Sequence, residues 1–138
     1  MTDAVLSPES RTTAGILLLA IVFIEYGGLF MLRVVRGSQP ATSFQSAFYR
    51  AGHAHAGVLV ILSMVSLLLI DAARLSGPLA QVARTAILVA PILMPAGFFL
   101  SAAGRGRTAP NALIWLLYAG AASLAVGVAA LGTALLTS

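Results

Sequence analysis

"TAPNALIWLLYAGAASLAVGVAALGTALLTS", Thr108 to Ser138, contains no Asp, Glu, Lys or Arg. About 20 apolar residues span a bilayer, so this stretch alone is long enough to cross one. Two further charge-free runs, each just long enough to do the same, occupy 51–70 and 85–104, and a fourth, 12–32, is interrupted only by Glu25. Composition agrees: 59% of the 138 residues are hydrophobic and 9% charged, against roughly 45–50% and 25% in soluble domains. A soluble chain of this kind would lack the polar surface to cover itself. The chain therefore reads as an all-α, polytopic membrane protein, one domain over 1–138, with transmembrane helices at about 13–35, 44–70, 79–103 and 111–135.

The connections between these runs are short, so neighbouring helices should be antiparallel, as in a four-helix bundle. Pro40, Pro78 and Pro110 each stand near an expected helix start, where a missing N–H does no harm, and Ser38, Ser76 and Thr108 are available as caps. The opening MTDAVLSPESRT lacks the basic region and small-residue cleavage site of a signal peptide, so the first helix is expected to stay in the mature protein. With no cysteine, disulfides, thiolate metal sites and covalent haem attachment are excluded.

The formal charge of +4 comes from eight arginines and no lysine. Most stand at helix ends, where they meet lipid headgroups, so no nucleic-acid partner is expected. Arg33, Arg36, Arg50, Arg105 and Arg107 fall around the first and third loops, and Arg11, Arg74 and Arg84 on the other side. By the positive-inside rule, five against three places both termini outside the cytoplasm, in the inner membrane of a bacterium. The Ala- and Arg-rich composition fits a GC-rich genome.

Ionisable residues inside a membrane are expensive and are functional candidates by default. Three qualify: Glu25, His53 and His55. Glu25 lies eleven residues from Arg36, about 16 Å along a helix. If the second helix enters the membrane near Ser43, His53 and His55 lie about 15 and 18 Å in, and all three share one depth. If Arg50 marks the boundary instead, the histidines lie in the interface. Residues i and i+2 point to nearly opposite sides of an α-helix, so the two histidines cannot chelate one metal while the helix is unbroken. His53 shares its face with Ala56, Gly57 and Val60, and His55 with Leu59 and Leu62. On the first helix, the pair Gly27-Gly28 beside Glu25 invites close backbone approach.

"GHAHAG", residues 52–57, is similar to histidine-bearing helices of haem–copper oxidase-type subunits. That resemblance implies His53 or His55 as an axial haem ligand. Glu25, by its shared depth, is the further candidate to hold a transition metal with His53 or His55. No other helix carries a histidine, so a second axial ligand would be Met31, Met94 or a residue of a second subunit. "FIEYGG", residues 23–28, looks like the first helix of small multidrug-resistance transporters, which implies a carboxylate that exchanges protons for a cationic substrate. The chain as a whole looks like a small bacterial four-helix integral membrane protein.

Two prolines, Pro91 and Pro95, fall within the third helix and free the carbonyls of Ile87 and Pro91; a plain bend is the favoured reading. Ala119, Ser123 and Gly127 read as a packing stripe on the fourth, and Trp115 and Tyr118 as an interfacial belt. Asp71 and Arg74, at i and i+3, read as a solvated pair.

Three functions remain open: a haem- or metal-binding redox subunit using His53, His55 and Glu25; a proton-coupled small transporter or channel with Glu25 as the proton relay; or a structural subunit whose Glu/His pair satisfies polar groups. No independent catalytic activity is expected, because no nucleophile–base arrangement or phosphate loop is visible. The expected partners are the lipid bilayer and either a second copy or a larger membrane complex.

Overall fold

The computed structural model describes residues 5–138, which form four α-helices and, among the described residues, no strand. They are α1 (Pro8–Val35), α2 (Ser43–Ala72), α3 (Gly77–Ala102) and α4 (Ile114–Leu136). Each is long and apolar enough to cross a membrane. At 1.5 Å per residue, even the 23-residue α4 extends about 35 Å, past a hydrocarbon core of about 30 Å. The protein is a multi-pass membrane protein built as an antiparallel bundle.

The main helix contacts follow chain order, α1 on α2, α2 on α3 and α3 on α4. The most intimate is α3 on α4, because glycines remove side chains where backbones meet. A methyl group at Gly120 would lie 2.8 Å from the Met94 nitrogen, and one at Gly127 would lie 2.8 Å from the Ile87 nitrogen. From the α3 side, a methyl group at Gly97 would overlap the backbone of Leu117. The seam along α4 is therefore Gly120, Gly127 and Ala134, with Ala130 and Leu131 beside it. Ala119, expected in the stripe, is exposed; Gly120 takes its place, while Ser123 and Gly127 stand as expected. Without a hydrophobic driving force between helices in lipid, such close packing is what holds them together.

Both internal prolines are accommodated without breaking α3. The carbonyl of Ile87, left without its N–H partner by Pro91, accepts from Ser63 Oγ of α2 at 3.4 Å, while Ser63 Oγ also donates to Leu59 at 2.8 Å. Ser123 Oγ of α4 donates to the neighbouring carbonyl of Ala86 at 2.8 Å. A hydroxyl of α2 thus lies at one freed carbonyl, that of Ile87, sharing its hydrogen with Leu59, and a hydroxyl of α4 ties α4 to the adjacent turn of α3.

The helix ends differ from the expected ones for reasons visible in the caps. α1 starts at Pro8, ahead of the expected Thr13, because Ser7 Oγ accepts from Ser10 N–H and Pro8 opens the first turn, extending the helix below the apolar run. α2 is capped by Thr42 rather than Ser38, in a capping box with Gln45. Ser38 instead closes the end of α1 by donating to the Arg33 carbonyl at 3.1 Å. Ser76 stands at the α3 cap, without a side-chain bond. α4 begins at Ile114, not near Asn111, because Asn111 is used to tie the loop to α3. Its N–H donates to Ser101 and its Nδ2 to Leu100, both at 2.9 Å, while Thr108 caps nothing.

Candidate functional site

The three intramembrane candidates are set by α1 and α2. The inner face of α1 follows a 4-3 spacing through Leu17, Ile21, Ile24, Gly28 and Met31, which keeps one stripe against α2. Leu17, Ile21 and Ile24 pack with Val60, Met64 and Leu67 of α2. Farther along the same stripe, the apolar side chains give way to Gly27 and Gly28. His53 fills the space they leave. A methyl group at Gly27 would lie 3.4 Å from His53 Nδ1, and one at Gly28 would lie 3.6 Å from Nε2.

His53 is thus half-buried against the backbone of α1, at the level of Gly27 and Gly28. Glu25 lies two to three residues away along α1, about 3–4.5 Å in depth. The shared depth of Glu25 and His53 follows from that contact. Their side chains are not joined: Glu25 is exposed on the outer flank of α1, and among the described residues neither group makes a hydrogen bond.

His55 points the other way, as its position two residues along the same helix requires. Its ring packs against Phe98 of α3 with centroids 5.0 Å apart. Its Nδ1 lies 2.7 Å from the carbonyl of Ala51; because a carbonyl only accepts, Nδ1 carries the hydrogen, and in the neutral ring Nε2 keeps its lone pair. Phe98 in turn meets Phe48 edge-on at 5.5 Å. A separate set of rings lies beside them, in which Tyr49 stacks on Phe99 at 5.6 Å and meets Phe30 edge-on at 5.3 Å. Gly52 makes room for both sets, since a methyl group there would lie 2.9 Å from both Phe98 and Phe99.

The structure therefore brings His53 to α1 and His55 to α3, with Glu25 outside. Among the described residues no three His, Cys, Asp or Glu side chains converge on a point where a metal ion would sit.

Two polar clusters lie beyond what spacing along the chain predicts. At the end where α1 begins, Asp71 of α2 accepts from the Ser7 N–H at 2.8 Å and from Arg84 Nη2 of α3 at 3.0 Å. Arg84 Nη1 donates to Ser10 Oγ at 2.7 Å, and Ser10 is fully buried. Three helices are fastened by one ion pair whose side chains are 13% and 8% exposed. Sequence spacing assigns Asp71 a solvated role beside Arg74; the carboxylate is instead nearly buried, thirteen residues from its partner. The available signal was Arg84 itself, a cation seven residues inside a helix that starts at Gly77.

At the opposite end, Gln45 Nε2 donates to the carbonyls of Ala102 at 2.9 Å and Gly104 at 2.7 Å, and Thr42 Oγ1 donates to the carbonyl of Arg107. The α3–α4 loop is thereby pinned to the first turn of α2. Trp115 and Tyr118, both exposed, pair edge-on at 5.4 Å near the start of α4.

Comparisons with protein-family models, with curated proteins and with solved structures find no match to this chain.

Proposed function

We propose that the protein is an oligomeric membrane subunit that exchanges protons at mid-depth through Glu25, with His53 as the neighbouring polar group across the α1–α2 seam. The observation that carries the reading is the exposure of Glu25 on a helix otherwise apolar at that depth. An ionised carboxylate facing hydrocarbon is expensive, so Glu25 needs a proton or a covering chain. The surface around it supports both. Gly15, Leu18, Val22, Glu25, Leu29 and Leu32 are all exposed and follow a 4-3 spacing, the pattern of a second helix-packing stripe. A second copy packed along this stripe would enclose Glu25 and leave His53 one layer behind it. In this reading the arginine-rich loops face the cytoplasm and both termini lie outside, in a bacterial inner membrane.

A hydrophobic carbodiimide tests the reading, because it modifies carboxyls that are protonated in apolar surroundings. Mass spectrometry of labelled membranes is expected to place the adduct on Glu25 and not on the ion-paired Asp71, with the adduct absent in Glu25→Gln. An unmodified Glu25 under conditions that label a control membrane carboxyl would contradict it.

A second reading, a haem- or metal-binding redox subunit, is favoured by one observation. The Nδ1 bond of His55 to the Ala51 carbonyl orients the ring in the way that ligating histidines are held. Two copies would have to supply one histidine each. That arrangement is expected to give purified protein a visible absorption band or half-stoichiometric metal, lost in His55→Ala; a colourless, metal-free protein rejects it.

A further inference from the structure

The eight arginines are not balanced in the same way at the two ends of the bundle. At the end where α1 begins, Arg11, Arg74 and Arg84 are accompanied by the acidic residues Glu9 and Asp71. At the other end stand Arg33, Arg36, Arg50, Arg105 and Arg107, and no acidic residue occurs in 33–50 or 102–113. Five charges against none exceed the net +4 of the whole chain. Among the described residues no carboxylate neutralises this end.

The geometry there is that of a pocket rather than a flat patch. A cavity of about 610 Å³ opens between the α1–α2 and α3–α4 loops, bordered by Gln39, Thr42, Gln45, Tyr49 and Arg105. Its walls are fixed: the amide of Gln45 holds the carbonyls of Ala102 and Gly104, Tyr49 reaches the same Ala102 carbonyl at 3.4 Å, and Thr42 holds Arg107. Gly104 and Gly106, with φ of 117° and 65°, turn the backbone on both sides of Arg105 through a region that side chains disfavour. Arg105 is exposed on this pinned turn, and its side chain makes no hydrogen bond among the described residues. The first turn of α2 borders the same cavity through Thr42 and Gln45, whose N–H groups are engaged in the capping box, so the helix adds the positive end of its dipole and no free donor there.

We propose that this cavity binds the phosphate of an anionic phospholipid headgroup, with Arg105 as its principal cationic contact. The guanidinium offers donors in the fork that phosphate oxygens accept. Position selects the lipid over a free anion. α2, at 30 residues, is about 45 Å long, so its first turns emerge from the hydrocarbon core at the level of the headgroups. On the neighbouring face of those same turns, Ser46 and Arg50 border a crevice of about 300 Å³ with Met31, Val34 and Val35 of α1, apolar where an acyl chain would run. Arg50 uses only its Nε, on the Ser46 carbonyl at 3.2 Å, which leaves its terminal nitrogens to the same headgroup layer.

The test is native mass spectrometry of the protein released from nanodiscs of phosphatidylethanolamine doped with phosphatidylglycerol. Parent protein is expected to retain the anionic lipid preferentially, and Arg105→Gln to lower that preference about fivefold, the contribution of one arginine near an anionic surface. Arg105→Lys should keep most of it, and Arg11→Gln, at the opposite end, all of it. Equal retention of the two lipids by the parent, or an unchanged preference in Arg105→Gln, overturns the proposal. Displacement of the bound lipid by millimolar inorganic phosphate also overturns it, by showing a site for the free anion. Arg105 lies in an exposed turn away from the helix seams, so the variant should fold, which circular dichroism checks; should it not fold, lipid preference of the parent lost at high salt decides the matter.

Discussion

Asp71→Ala is expected to destabilise the bundle by about 3 kcal/mol, the largest loss for a single side chain outside the glycine seam. The carboxylate accepts from Ser7 N–H and Arg84 together, so its removal strands a guanidinium that is only 13% exposed. The remaining contact of Arg84, from Nη1 to the fully buried Ser10 Oγ, is to a neutral acceptor and leaves Nη2 without one. A buried cation without its partner is the costly state; a pair replaced by apolar residues is not. The double variant Asp71→Leu with Arg84→Met should therefore recover most of the stability lost by Asp71→Ala. Denaturation in mixed micelles, followed by circular dichroism, reads both values. A loss below about 1 kcal/mol, the range of solvated pairs, would show that the cluster is open to water and does not fasten the three helices.

The second large effect belongs to Gly97. A methyl group there would meet the main chain of Leu117, which cannot rotate away as a side chain can. Gly97→Ala is expected to cost about 3 kcal/mol, the upper part of the overpacking range, and Gly97→Leu to separate α4 from α3. Gly132 of α4, where nothing lies within 4 Å of an added methyl group, is the control: Gly132→Ala should leave the fold unchanged or slightly more stable. The same denaturation measurement separates the two, and equal behaviour of Gly97→Ala and Gly132→Ala would contradict the close α3–α4 packing.

Membrane architecture was open to reading because it depends on quantities summed along the chain. Length and charge-free character alone located four spans, and every one of them is a helix. Faces on one helix were legible for the same reason: the opposed directions of His53 and His55 follow from their spacing and are what the structure displays. What could not be read were relations between helices. Asp71 has Arg74 three residues away and Arg84 thirteen away, and only packing brings the second one to it. The choice of Gly120 over Ala119 as the seam residue depends on a rotation of α4 about its own axis, to which a helix composed almost wholly of apolar and small residues gives little polar contrast. Helix ends failed where capping chemistry extends beyond the apolar run, as Ser7 and Pro8 do for α1.

Glu25 illustrates both sides. Its depth was legible, and its proximity to the level of His53 is realised through Gly27 and Gly28. Its direction was not, because a 4-3 spacing recurs on two flanks of α1, and the sequence does not say which flank meets α2. The outward position leaves a carboxylate that needs either a proton or a covering chain, and this is what links proton exchange to self-association in the proposed function.

Proton flux into liposomes containing the purified protein tests that link most directly, with a pH-sensitive dye inside and an imposed pH gradient. The account predicts flux for the parent and its abolition in Glu25→Gln, with the thermal transition of the two proteins alike. Flux in Glu25→Gln equal to that of the parent would contradict a proton-exchanging Glu25.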